Sequence, residues 1–164
     1  VHHVADRLRP LWDFDDLDAS ERRFDEQLRK EASEAGRAEV LTQLARVKGL
    51  RGEFAAGDEL IDQAEQLSDG GAAVRARIQL ERGRLRNSGG DPAAALALFE
   101  AAFETAEQGG ESLLAADAAH MAAIASPDRK DKIEWQGRGV RIATASRDRD
   151  FSYWLGPPYN HLGR

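Results

Sequence analysis

The chain has 164 residues and no cysteine, which excludes disulfides, thiolate metal sites and a cysteine nucleophile. Its 23 Lys and Arg against 29 Asp and Glu give a formal charge of -6, with both signs mixed along the sequence. That pattern fits solvated helix faces, argues against a surface that grips a nucleic-acid backbone, and comes with no apolar run near the ~20 residues that cross a bilayer.

Ala, Leu, Glu, Arg and Gln dominate while strand formers are sparse, so the expectation is an all-α fold. Residues 1–14 show no clear period, and a short turn of helix is expected around Pro10. Asp18 followed by Glu21 reads as a capping box. It predicts a helix running to about Ala35, before Gly36, with Ala19, Phe24, Leu28 and Ala32 on its apolar stripe. A second helix is predicted over residues 37–51, with Val40, Leu41, Leu44, Val47 and Leu50 inward and Gly52 as its stop. A third covers 54–67, burying Phe54, Leu60, Ile61, Ala64 and Leu67, and 68–71 is a loop. A fourth covers 72–86 with Val74, Ile78, Leu80 and Leu85, ended by Gly89-Gly90. Asp91 caps a fifth helix, and Pro92 takes its first position, where a missing N–H is harmless. Leu96, Phe99, Ala102, Phe103 and Ala106 line that helix, and Gly109-Gly110 closes it. An alanine-rich sixth covers 111–125, and after Pro127 a seventh covers 129–145 with Ile133, Trp135, Val140 and Ile142 inward. An eighth begins between Asp150 and Pro158. Short loops force neighbouring helices to pack antiparallel.

Two segments align without gaps, residues 41–64 and 79–102, at an offset of 38 residues from Ala64 to Ala102. Small residues recur in register (Ala45 with Gly83, Gly57 with Ala95, Ala64 with Ala102), and so do Ile61 with Phe99 and the glycines at 52 and 90. Tyr159, Leu162 and Gly163 start a further copy. These residues resemble the tetratricopeptide signature W-x2-L-G-x2-Y, A-x3-F, which has a period of about 34 residues. The copies here are longer, lack the closing Pro, and place Gln79 and Arg82 where apolar residues are expected. The resemblance implies an α-α superhelix, a right-handed array of antiparallel helix pairs. Its expected organisation is an N-terminal extension over 1–17 and a repeat domain over 18–164. The pairs fall at about 37–69, 72–109 and 111–146, with a partial pair at 150–164. The array then stops partway through a pair, so the expectation is a chain truncated at its C-terminus or covered there by another chain.

No constellation of catalytic residues is present. His2, His3, His120 and His161 have no partner at ligand spacing, and the acidic run Asp13, Asp15, Asp16 and Asp18 lacks the central glycine of a calcium loop. The glycine pairs follow helices rather than strands and carry no Lys-Ser/Thr, so they read as helix stops. No cofactor, metal or catalytic activity is expected. Trp12, Trp135 and Trp154 are large enough to anchor a partner; Trp135 reads as core and Trp154, beside Phe151 and Tyr153, as a surface contact.

The tetratricopeptide resemblance implies a concave groove lined by the first helix of each pair. The alignment places Thr42, Arg46, Gly49, Arg77, Leu80, Arg84, Asn87, Asp117 and Met121 there. Arg46, Arg77 and Arg84 would form a basic patch for a carboxylate or an acidic peptide, unless they pair with Glu39, Glu81 and neighbouring acids. The functional expectation is a cytoplasmic protein- or peptide-binding scaffold. Alternatives are a homo-oligomer formed through open array ends, or the sensor or adaptor region of a larger regulator. Neither nucleic acid nor membrane is an expected partner.

Overall fold

A computed structural model describes residues 6–145. Helix α1 (Leu17–Lys30) is capped by Asp16, whose Oδ1 accepts a hydrogen bond from the Ala19 N–H at 3.0 Å. The cap is thus two residues ahead of Asp18, which lies in the first turn and accepts from Arg51 at 2.6 Å. The expected first helix is also too long. It ends at Lys30, the backbone turns extended at Glu31, and Ser33 caps α2 (Glu34–Leu50) by accepting from the Gly36 N–H at 2.9 Å. Gly36 is therefore inside a helix rather than a stop. A side chain there would place its Cβ 2.2 Å from Glu31 Oε1, so the Glu31 carboxylate would have to swing away from its present position.

The remaining helices are α3 (Phe54–Leu67), α4 (Ala72–Ser88), α5 (Pro92–Gln108), α6 (Ser112–Ala125) and α7 (Arg129–Ala145). Each lies within about two residues of its expected span. No strand occurs among the described residues. Consecutive helices pack on one another as α2/α3, α4/α5 and α6/α7 pairs, and α2, α4 and α6 also lie side by side. The 38-residue register is visible in the turns. Gly52 at φ 79 lets the Glu53 N–H reach the Lys48 carbonyl at 2.9 Å, and Gly90 at φ 94 lets Asp91 reach Arg86, also at 2.9 Å. Only glycine adopts such angles without steric cost, and the six-to-one bond satisfies a carbonyl that the helix end would leave orphaned.

Equivalent positions of the two aligned copies are buried together. Ala45, Gly57, Ile61 and Ala64 form one set, and Gly83, Ala95, Phe99 and Ala102 the other. The Phe99 ring fills the space a Gly83 side chain would need; a Cβ there would stand 2.5 Å from Phe99 Cε1. The misplaced Arg82 has a local explanation. Its guanidinium bonds Asp58 at 3.4 Å, Asp62 at 3.1 Å and Glu65, all on α3, so an ion cluster replaces apolar packing between the two pairs.

Three expectations for inward faces fail. Ala32 is exposed beyond the end of α1, Leu50 is 52% exposed and Ile133 51% exposed. Helix α7 buries Gly139 and Ala143 instead, because it lies against the flat, alanine-rich α6. Trp135 is partly buried, edge-on to Phe103 at 5.3 Å and covered by Arg138 at 4.4 Å.

The segment before α1 is not a loose extension. It makes a short 3-10 turn (Arg9–Leu11) with Pro10 in its first turn, and Leu8 is 1% exposed in the same core cluster as Phe24, Val40 and Leu44. Burying such a leucine stabilises by about 1.5–3 kcal/mol, which anchors the segment as a strap across one end of the array. The expectations for residues 146–164, including Trp154, His161 and the partial pair, and those for His2 and His3, lie outside the described residues.

Candidate functional site

Helices α2, α4 and α6 present one face each to a common cleft. On α2 the face carries Gln43 and Arg46, on α4 Arg77, Leu80, Glu81 and Arg84, and on α6 Leu114, Asp117, His120 and Met121. These spacings of three and four residues are one side of a helix. The strap closes one end with Asp6, Arg9, Trp12 and Phe14, leaving a cleft of about 340 Å³. A second lobe of about 240 Å³ continues from it, sharing Arg46, Glu81, Arg84 and Met121 and adding Gly49, Leu50, Leu85 and Ser88.

The expected groove residues divide accordingly. Arg46, Arg77, Leu80, Arg84, Asp117 and Met121 meet in the cleft, and Gly49 lines the second lobe. Thr42 is fully buried, its hydroxyl donating to the Glu39 carbonyl at 2.6 Å, so it faces packing rather than the groove. Asn87 lies beyond the lobes, in the last turn of α4, where its carbonyl accepts from the Gly90 N–H at 3.2 Å. Gln43, Leu114 and His120 each sit three residues from an expected lining position, and extending the same helical face by one turn finds them. The strap residues carried no periodic signal at all.

The arginines are not equivalent. Arg77 is buried and donates through Nη2 to Asp6 at 2.7 Å and through Nε to Glu39 at 3.1 Å. Burial alone would lower its pKa, but the two carboxylates hold it above the ordinary value. Arg84 donates to Glu81 at 3.0 Å and to Asp117 at 2.5 Å; against the same burial, these acids hold it well above the ordinary value. Both therefore follow the ion-pair alternative. Arg46 does not. Among the described residues it has no carboxylate within ion-pair distance, and its buried Nε has no hydrogen-bond partner. Its guanidinium lies 5.3 Å from the Trp12 ring centre and 5.0 Å from that of Phe14. The two rings stack on each other at 4.6 Å, and the Trp12 Nε1–H donates to Gln43 Oε1 at 2.9 Å, which fixes the indole. Burial, followed by the nearby charge of Arg84, pushes Arg46 down to about 10; Glu81 and Asp117 oppose this only in part. It remains a cation at neutral pH, held in place by aromatic faces rather than by an acid.

Chemically, the cleft offers the guanidinium of Arg46, which no carboxylate pairs among the described residues, a paired aromatic wall and apolar side chains. Among the described residues no group of His, Asp or Glu side chains is arranged to hold a metal ion, and no helix is long and apolar enough to cross a membrane. The fold and site define an all-α array of helix pairs with a polar cleft on the face of its first helices. No family model matches the chain, and no curated protein matches it either.

Proposed function

We propose that this chain is a non-catalytic binding scaffold that takes a segment of a protein or peptide along the face lined by α2, α4 and α6. The observation that carries this reading is the contrast among the arginines. Arg77 and Arg84 are neutralised internally, whereas Arg46, at the junction of the two lobes, keeps its charge with no carboxylate within ion-pair distance among the described residues. A hydrogen bond to a charged group contributes about 1.5–3 kcal/mol, so an acidic side chain of a partner gains most at this point. Beside it, the half-exposed Leu50 and the side chains of Leu85 and Met121 give an apolar seat for a neighbouring residue of the same partner. The helix pairing and the 38-residue register support the tetratricopeptide resemblance, which implies the same face.

Selection from a random peptide library on the purified chain tests this. The expected consensus pairs an acidic with an apolar residue. Arg46→Gln and Leu50→Asp should each weaken the selected peptides by about tenfold or more. Peptides that bind both variants unchanged would place recognition on another face and remove the proposal.

A further inference from the structure

Beyond the peptide reading, we infer that the strap-closed lobe of the cleft is a binding site for a small organic monocarboxylate with an aromatic or apolar body. Four observations converge on that chemistry. The lobe is walled by three helices and closed at one end by the strap, and its volume of about 340 Å³ lies in the range of small-molecule sites. Whereas Arg77 and Arg84 each pair with carboxylates, Arg46 has no carboxylate within ion-pair distance among the described residues, so one negative charge beside it completes the site. A dianion is disfavoured, because Asp6, Glu81 and Asp117 line the same lobe and would repel the second charge.

The wall supplies the rest of the specificity. The stacked rings of Trp12 and Phe14, interplanar angle 6°, line the lobe together with Leu80 and Leu114 and give it an apolar wall beside the guanidinium. An apolar body packs against this wall while its carboxylate reaches the accessible part of the Arg46 guanidinium. Arg46 is thus the charge-recognition residue, and Trp12 selects for the ligand body.

Isothermal titration of the full chain with phenylacetate and 2-naphthoate, with acetate and inorganic phosphate as comparators, tests the inference. The expected result is saturable binding of one aromatic carboxylate per chain, with acetate and phosphate weaker by about tenfold or more. Arg46→Gln should abolish this binding while thermal melting shows the chain folded, Arg46→Lys should retain part of it, and Trp12→Leu should weaken naphthoate more than acetate. Phosphate binding as tight as naphthoate, an unchanged affinity in Arg46→Gln, or no saturable signal would each overturn the assignment. Leu50→Asp separates the two readings, because Leu50 lines only the second lobe. Loss of peptide binding with naphthoate binding intact supports the small-ligand site. Peptide binding by a chain that takes no aromatic carboxylate leaves the scaffold standing and removes this site.

Discussion

The two halves of the array solve the same packing problem with opposite materials. Around α1, α2 and α3 the core is built from large side chains, with Phe24, Leu41, Leu44, Val47 and Ile61 interdigitated beneath the strap. Around α4, α5 and α6 it is built almost entirely from alanine, with Phe99 and Leu80 as its fully buried large members. Large residues hold helices apart and fill the gap; small ones let backbones approach until little gap remains. The contrast teaches that the repeat register prescribes where helices meet, and leaves open how the interface is filled. Position 61 carries Ile in one copy and its equivalent at 99 carries Phe, because Gly83 vacates the room the ring needs where Ala45 stands in the first copy.

This contrast can be tested by emptying each half. Phe24→Ala and Phe99→Ala should both cost about 3–5 kcal/mol in urea denaturation. Phe99→Ala should be the worse, because the alanines and glycine around it have no reach to refill the cavity, whereas Trp12 and the leucines near Phe24 can relax. The reverse order would mean that the alanine-rich half collapses more readily than its short side chains suggest. Crowding the second half is the next largest effect. Gly83→Ala should destabilise by about 1–3 kcal/mol, even though Ala is worth up to about 1 kcal/mol more than Gly in a helix. A neutral or stabilised Gly83→Ala would show that Phe99 moves freely.

The smallest effect belongs to the strap and is read by acid. Burial alone would raise the Asp6 carboxyl, but the charge and hydrogen bond of Arg77, the Leu8 N–H and Arg9 together hold it below its ordinary 3.8. A depressed folded-state pKa means that the unfolded chain binds the proton more readily. The stabilisation is therefore whole above 3.8 and lost as pH falls through the lower folded-state value. Melting temperatures of Asp6→Asn and the parent chain, measured from pH 6 downward, should differ at pH 6 and converge in strong acid. A constant difference across the series would show that the Asp6–Arg77 pair is not what titrates.

Much of the array was legible because its punctuation is chemical. Gly52, Gly90, Asp91 and Pro92 each satisfy or omit a specific backbone group, and the helix ends fall where those residues require. The α1–α2 boundary was misread because Gly36 looks like a stop in sequence, while the Ser33 cap that starts the helix is an equally ordinary signal. On α7 the apolar residues suggested an inward face, yet the partner surface of alanines selected Gly139 and Ala143. In the cleft, the lining face of α2, α4 and α6 follows from helical spacing. The difference between Arg46 and its two neighbours does not, since it depends on which carboxylates come within reach in three dimensions. Asp6 reaches Arg77 across most of the described N-terminal half, and no local pattern announces that meeting.

That same reach has a consequence for the order of events during synthesis. Apart from the contacts among α2, α4 and α6, the helix interfaces join neighbours in sequence, so each can form soon after its second member is made. The strap is different: its Asp6 bond partner lies 71 residues downstream, on α4. At about 5–20 residues per second, the ribosome takes roughly 4 to 14 s to supply it. Until then Leu8 and Trp12 have part of their anchorage in α2 but not the tie to α4. The strap is thus secured only once α4 has been made, and the cleft is closed by a segment translated well before its partner.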